Sequence, residues 1–262
     1  MNTTPSGSGV IVGIDGSQAA IQAAQWAVSE ALDRGVPLRL LAVVKAAHPT
    51  SDDYYQDVKH AEVSLQAAQS AVQAMGKLVK VETGILRGQP GASLVVESRD
   101  ADMLCVGSVG IGRYSRSLLG STATEVAEQA HCPVAVIRLP SDQPPREIDW
   151  IVVAVDGTPD NDAVVDQAMR EGQLRRLPVL AIGTAPGELD DRLQPWRRWY
   201  PDVHVYPVTA GADVARFLKD NHDWVPLAVI GSAEAGKLAQ LLGPHDHLVL
   251  RHAQASVLVV RR

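Results

Sequence analysis

One segment pattern occurs twice in this chain, and that internal repeat constrains the fold more than any other feature. The run from Val10 to Ser17 (VIVGIDGS) recurs from Ile151 to Thr158 (IVVAVDGT), and each copy ends an apolar run with Asp, Gly and a hydroxyl residue. Two more segments recur in the same order: 103–108 (MLCVGS) matches 227–232 (LAVIGS), and 133–138 (PVAVIR) matches 256–261 (SVLVVR). Matches in one order along the chain indicate a duplication, which predicts two similar domains.

The stretch between the two copies has the composition of a linker. It places Pro140, Pro144 and Pro145 among polar residues, a composition that does not continue a helix or a strand. We therefore predict a first domain over residues 1–140, a linker over 141–148 and a second domain over 149–262.

Within the first copy, short apolar runs alternate with segments of helical spacing. Wholly apolar runs are typical of parallel strands covered on both faces. The predicted strands are 10–14, 38–44, 79–86, 103–107 and 134–137, and the predicted helices are 17–34, 57–76, a short one after Pro90, and 121–130. In the second copy Leu189, Leu193, Trp196 and Tyr200 mark a helix. The predicted fold class is α/β: two tandem doubly wound units, each a five-stranded parallel sheet with helices on both faces.

Composition excludes several function classes. The formal net charge is −6, and broad affinity for nucleic acid or anionic membranes needs basic surface. No apolar run approaches the ~20 residues of a membrane span, and the N-terminal residues lack a signal-peptide pattern. The two Cys and eight His residues show no metal-ligand spacing. We expect a cytoplasmic protein with no metal centre of its own.

The segment from Gly107 to Thr122 is rich in glycine and leads into a predicted helix. Glycines let backbone N–H groups approach an anion, and a helix start adds unpaired N–H groups. The loop therefore has phosphate-binding chemistry. Taken alone it is also compatible with a plain turn and a Ser or Thr helix cap.

The spacing within this segment resembles that of the universal stress protein family. ATP-binding members carry Gly, two residues, Gly, nine residues, then Gly and Ser or Thr, and this sequence has Gly107, Gly110, Gly120 and Ser121 at that spacing. The resemblance covers nearly all of both halves, and the tandem layout is similar to that of mycobacterial two-domain members. It implies a fold of the adenine nucleotide alpha hydrolase-like type.

The resemblance also implies a ligand, ATP, with Mg²⁺ as an accompanying ion. It implies that the phosphates contact Gly110, Gly120, Ser121 and Thr122, that Gly107 lies beside the ribose, that Asp15 lies at the nucleoside end, and that Val43 offers backbone atoms to adenine. Two alternatives stay open. Asp15, or Ser17 in its place, could simply cap the following helix. Arg113 and Arg116 could add positive charge over the loop or be solvated surface residues.

The second copy departs from the motif. It keeps Asp156 and the Gly231-Ser232 pair, but Glu234 stands where the second Gly is expected. Gly243 follows Gly231 by 12 residues rather than 13, and Pro244 replaces the hydroxyl residue. A carboxylate repels a triphosphate and proline lacks an N–H donor. We expect no tight ATP binding in the second copy; alternatively, Gly236 reshapes the loop for a less charged ligand.

No motif of a committed catalyst is present, so any ATP hydrolysis is expected to be weak. Three functions remain: a nucleotide-dependent regulator that acts through a protein partner, a slow ATPase or nucleotide-processing enzyme, or a scaffold with a structural nucleotide. The resemblance to mycobacterial members implies that a regulator would act in stress, dormancy or hypoxia adaptation. In each half the fifth strand is a short edge strand. We expect the two copies to pair through it within one chain, and two chains could associate further as a homodimer.

Overall fold

The computed structural model describes residues 8–110, 119–139, 149–158, 160–221, 225–238, 241 and 255–261. The chain divides into two compact units, residues 1–139 and 140–262. The predicted linker over 141–148 lies outside the described residues.

Strands and helices alternate along the described part of the first unit. Its elements are β1 Val10–Ile14, α1 Gln18–Arg34, β2 Leu38–Val44, α2 Ser51–Gln73, β3 Val81–Arg87, α3 Pro90–Glu97, β4 Met103–Gly107, α4 Ser121–Gln129 and β5 Val134–Ile137. The strands pair in parallel in the order β3-β2-β1-β4-β5. The predicted α/β class, with a parallel sheet and helices against it, is confirmed.

The strand order reverses its direction beside β1. The connections from β1 through β3 run toward one edge of the sheet, and those from β3 through β5 run toward the other. Because such crossovers are right-handed, the two sets of helices cover opposite faces. In agreement, α1 packs against α2, and α3 packs against α4. A crevice therefore opens at the carboxyl ends of β1 and β4, where sheets of this kind bind ligands.

Helix α1 approaches the sheet closely because its inner face carries small side chains. Ala20, Ala24, Ala27 and Ala31 are buried along this face. Ser17 caps the helix, because its Oγ accepts the Ala20 N–H at 3.1 Å. Of the two candidate cap residues, Ser17 is therefore the one used, which leaves Asp15 for another role.

A buried carboxylate pairs with an arginine one helical turn later in each unit. Glu30 is fully buried in α1 and lies 2.5 Å from Arg34, and Glu171 is fully buried and lies 2.8 Å from Arg175. The two glutamates occupy equivalent positions of the repeat, because Glu30 follows Asp15 by the same number of residues as Glu171 follows Asp156. The pairing neutralises a charge that would be costly to bury alone.

Helix α2 begins six residues before the predicted start at residue 57 and ends at Gln73 rather than at 76. Thr50 caps it, because its Oγ1 accepts the Asp53 N–H at 3.1 Å, and acidic residues in the first turn suit the positive end of the helix dipole. The apolar spacing used for the prediction begins only at Val58. The prediction was wrong because the first turns are polar and carry no apolar periodicity.

The second unit repeats the same topology. Its described elements are β6 Ile151–Ala154, α5 Asn161–Arg175, β7 Val179–Gly183, α6 Pro186–Trp199, β8 Val205–Thr209, α7 Val214–Asn221, β9 Leu227–Gly231 and β10 Ser256–Val260. They pair in parallel in the order β10-β9-β6-β7-β8. Helix α6 buries Leu189, Leu193 and Trp196, as their spacing predicts, but it ends at Trp199, so Tyr200 is its C-cap residue and not part of it. Among the described helices, none combines the length and the apolar character that crossing a bilayer requires.

Candidate functional site

A cavity of about 580 Å³ lies at the carboxyl ends of β1, β2 and β4 in the first unit. All of the site residues predicted from the sequence line it: Asp15, Val43, Gly107, Gly110, Gly120, Ser121 and Thr122. Arg113 and Arg116 lie outside the described residues. The structure thus brings together residues that are more than a hundred positions apart in the sequence.

The Asp15 carboxylate joins the loop after β1 to the loop after β4. Its Oδ1 accepts the Ser17 N–H at 2.9 Å. Its Oδ2 lies against Gly110, since a Cβ atom placed on Gly110 would come within 2.6 Å of it. Ser17 adds a second link, because its Oγ donates to the Val109 carbonyl oxygen at 3.4 Å. A side chain at position 110 would therefore displace the carboxylate.

Helix α4 begins at the cavity with backbone N–H groups that its own turns do not use. Gly120 is its N-cap residue, and no side chain of the described residues caps it. The Gly120 N–H itself donates to the Ser108 carbonyl oxygen at 2.8 Å, which fixes the approach to the helix. The first-turn N–H groups of Ser121 and Thr122 have no carbonyl partner within the helix. Such an end is a favourable place for an anion.

Gly107 lines the cavity but is required for packing. A Cβ atom there would lie 2.7 Å from the carbonyl carbon of Ala19 and 2.8 Å from the backbone nitrogen of Ala20. Real Cβ contacts are not that short, so β4 and α1 can approach only with glycine at this position. The glycine spacing in the sequence thus combines a residue needed for packing with residues that face the cavity.

Sequence reasoning missed one wall of the cavity, which α2 contributes. Asp57, His60, Ala61 and Ser64 line it, at spacings that put them on one face of the helix. Ser64 also lies beside Gly16, because a Cβ there would come within 2.7 Å of its Oγ. The amphipathic spacing of α2 could have indicated an inner face. It could not have shown that this face borders a cavity.

Asp57 is the charged residue of this wall, and its position is fixed. Its Oδ2 accepts the Lys45 N–H at 3.0 Å and lies 2.9 Å from His48 Nε2. The hydrogen bond with His48 lowers the pKa of the Asp57 carboxyl below its usual value; burial opposes this shift, and the Lys45 N–H adds to it. Asp57 is therefore a carboxylate at neutral pH.

In the second unit, two side chains of the described residues occupy part of the corresponding crevice. Asn161 stands where the first unit has Ala20; it donates to the Ala154 carbonyl oxygen at 2.8 Å and accepts the Asp156 N–H at 3.2 Å. A Cβ on Gly157 would fall on the Arg192 guanidinium, whereas the equivalent Gly16 faces only the small Ser64. The backbone of the loop after β1 faces the cavity in the first unit, whereas Asn161 and Arg192 cover the backbone of the equivalent loop in the second unit.

Glu234 takes the position of Gly110 and lies in a 3₁₀ turn, Ser232–Lys237. Burial raises the pKa of the Glu234 carboxyl, the carboxylates of Asp213 and Asp156 act in the same direction, and Lys237 opposes them. Gly243 and Pro244, which the sequence also marked as adverse to a triphosphate, lie outside the described residues.

Glu234→Gln is expected to stabilise the second unit at pH 7 and to have little effect at pH 4. A carboxyl whose pKa is raised on folding contributes its full stability below its unfolded pKa and loses it as the pH rises through the folded pKa. The gain should be about 0.5 kcal/mol, because the residue is partly exposed and solvent screens its charge. Urea unfolding at the two pH values measures this; an equal effect at both would contradict it.

Comparison with known proteins identifies the family. The universal stress protein family model matches residues 9–138. A universal stress protein of Mycobacterium tuberculosis strain H37Rv is 58% identical, with 98% of each chain covered. Another from the same strain is 38% identical, with 90% of this chain and 92% of the relative covered. A crystal structure of a universal stress protein from Archaeoglobus fulgidus has a TM-score of 0.69 at 17% identity. The match covers 98% of this chain and 97% of the Archaeoglobus chain. The chain belongs to the universal stress protein family.

Proposed function

We propose that the first unit binds ATP in its cavity and that the protein acts as a nucleotide-dependent regulator in stress or dormancy adaptation. One observation carries the proposal. A single cavity joins the glycine loop after β4, the N-terminus of α4 and the Asp15 carboxylate. An anion-binding end and an acceptor for ribose hydroxyls suit the two chemically different parts of a nucleotide.

The strand order supports one orientation of the nucleotide. The helix end that suits phosphate follows β4, and Val43 lies at the end of β2, with β1 between these two strands. Because neighbouring strands lie about 4.8 Å apart, the ends of β2 and β4 are separated by roughly 10 Å. The phosphates then lie at Gly120, Ser121 and Thr122, and the base lies between β2 and α2.

The donor set of the cavity fits Mg²⁺ that arrives with the triphosphate. Mg²⁺ is bound in proteins through one or two carboxylates and hydroxyls together with substrate phosphates. Ser121 supplies a hydroxyl at the cavity, and phosphate oxygens and water would complete the coordination of the ion. The described residues contain no group of three or more His, Cys, Asp or Glu side chains suited to a metal ion by themselves. Bound Mg²⁺ would reduce the repulsion among the phosphate oxygens.

Regulation requires only that ATP bind one conformation better than another. A nucleotide in this cavity would touch the loops after β1 and β4 and the α2 wall together, so its binding can change a surface that a partner protein recognises. We place this activity in the cytoplasm, where the two buried thiols, Cys105 and Cys132, would stay reduced. The second unit, with Asn161, Arg192 and Glu234 in its crevice, would hold no ATP.

The protein as purified is expected to carry, or to take up in dialysis, about one adenine nucleotide per chain, bound at the anion-binding end of α4. Chromatography of the supernatant after denaturation measures it. ATP at a hundred times its dissociation constant should add about 2.7 kcal/mol to the stability of the first unit. Hydrogen exchange with and without ATP would then map any change at the surface.

Each alternative gives a different result. If no nucleotide is bound and ATP does not change the melting temperature, the first-unit site is wrong. ADP formation above that of a Gly110→Glu control would support the slow ATPase. If exchange changes only at the cavity and partner binding is the same with and without ATP, the nucleotide is structural and the protein is a scaffold.

A further inference from the structure

Both hydrogen bonds that the structure gives to the Asp57 carboxylate end on the same oxygen. The Lys45 N–H and His48 Nε2 both lie about 3 Å from Oδ2, at 3.0 and 2.9 Å. The residue lines the cavity. Its Oδ2 is thus held by the protein, and Oδ1 is the oxygen left for a ligand.

Asp57 lies at the end of the cavity where the base would bind. Lys45, whose N–H it accepts, is two residues beyond Val43 in sequence and directly follows β2. The N-terminus of α4, which suits the phosphates, lies on the other side of β1. A nucleotide with its phosphates at α4 therefore points its base toward Asp57.

The protonation state of Asp57 limits what it can recognise. Its lowered pKa keeps it ionised at neutral pH. An ionised carboxylate accepts hydrogen bonds and donates none. It attracts an amino group on the base and repels a carbonyl oxygen at the same position.

We propose that Asp57 determines the base specificity of the cavity: its Oδ1 accepts a hydrogen bond from the exocyclic 6-amino group of adenine and excludes 6-oxo purines such as guanine. This inference rests on the proposed nucleotide site. Val43 would contact the base through backbone atoms alone, and Asp57 would add a contact from a side chain.

His48 is the positioning residue for this contact. Its side chain is only 8% exposed and is paired with Asp57. Its ring packs edge-on against Tyr54, with centroids 5.4 Å apart, and the Arg87 guanidinium covers the Tyr54 ring at 4.6 Å. This stack restrains the imidazole, and the imidazole holds Oδ2, so Oδ1 is the oxygen without a hydrogen bond from the described residues.

Titration of the wild-type protein with ATP, GTP and purine riboside triphosphate tests the proposal without any variant. A hydrogen bond to a charged group contributes about 1.5–3 kcal/mol, so ATP should bind at least about tenfold more tightly than purine riboside triphosphate, which lacks the amino group. GTP should bind more weakly still, because its O6 faces the carboxylate.

Asp57→Asn is expected to abolish or invert the preference for ATP over GTP. The amide oxygen takes the place of Oδ2 at the Lys45 N–H, so the amide nitrogen is left to donate toward the base, which suits O6 of guanine and not the amino group of adenine. Glu62→Gln is the matched control. It removes the same charge from the same helix at an exposed position that does not line the cavity, and its ratio should equal that of the wild type. Melting temperatures of both variants report whether the fold is intact.

Two results would overturn the proposal and leave the nucleotide site standing. One is a wild-type protein that binds ATP, GTP and the purine analogue equally well. The other is a folded Asp57→Asn variant that keeps the wild-type ratio. If the wild-type protein binds none of the three nucleotides, the proposed function fails and this inference fails with it.

Discussion

Gly110→Glu is expected to weaken ATP binding by roughly 10²- to 10³-fold. The new carboxylate would stand beside the phosphates, and like charges about 4 Å apart repel by ~4 kcal/mol near a protein surface. It would also displace Asp15, whose Oδ2 would lie 2.6 Å from a Cβ at this position. The second unit already carries a glutamate, Glu234, at the equivalent position, so the fold of the repeat accommodates this side chain. Isothermal titration measures the affinity.

Gly120→Ala is the uncharged comparison for this experiment. A Cβ on Gly120 would meet nothing nearer than the Ser108 carbonyl oxygen at 3.5 Å, and the residue has an ordinary φ of −66°. Alanine therefore fits the fold, and ATP affinity should fall far less than in Gly110→Glu, because no charge is added and the backbone N–H groups of α4 remain. If Gly110→Glu binds ATP as tightly as Gly120→Ala does, the phosphates do not lie at the glycine loop.

Gly107→Ala is expected to destabilise the first unit by about 2–3 kcal/mol, as overpacking of a close contact does. The added methyl would lie 2.8 Å from both the Ala19 Cβ and the Ala20 backbone nitrogen. Backbone atoms of α1 cannot yield as a flexible side chain would. Hydrogen exchange followed by mass spectrometry, with peptides assigned to each unit across a denaturant series, measures the loss in the first unit alone.

Gly231→Ala places the same change at the equivalent position of the second unit. A Cβ there would meet only Val164 Cγ2, at 3.5 Å, and the residue has a φ of −79°. The second unit should therefore change by less than about 1 kcal/mol, with a small gain because alanine restricts the unfolded chain. Equal losses in the two units would show that the contact with α1 does not explain Gly107.

Four strands of the first unit were predictable from sequence because they are buried on both faces. The runs at 10–14, 38–44, 103–107 and 134–137 coincide with β1, β2, β4 and β5. A wholly apolar run bounded by Gly, Pro or polar residues contains nearly all the information needed to place such a strand. The predicted strand 79–86 starts two residues before β3, Val81–Arg87, because this strand is only half-buried and its sequence mixes polar and apolar residues. The start of α2 could not be placed in this way, because capping by Thr50 and Asp53 leaves no apolar pattern.

The cavity was only partly predictable. The glycine spacing and Asp15 stand out locally, and all of those residues line it. Asp57 and Ser64 reach it because α2 packs across β2, which is a long-range consequence of the fold. Arg192 gives no local signal at all: it is one of several arginines in α6, and only the structure places its guanidinium on Gly157. Sequence spacing thus identifies the loops of the site better than it identifies the walls.

The buried pairs Glu30–Arg34 and Glu171–Arg175 bear on the ancestry of the two halves. Buried charged pairs are uncommon, and both copies of the repeat have one at the same position of their first helix. The crevices have diverged, to Ala20 and Gly110 in one half and Asn161 and Glu234 in the other. The two halves therefore share the framework of the repeat, the parallel sheet and the buried Glu–Arg pair of its first helix, and differ at the crevice.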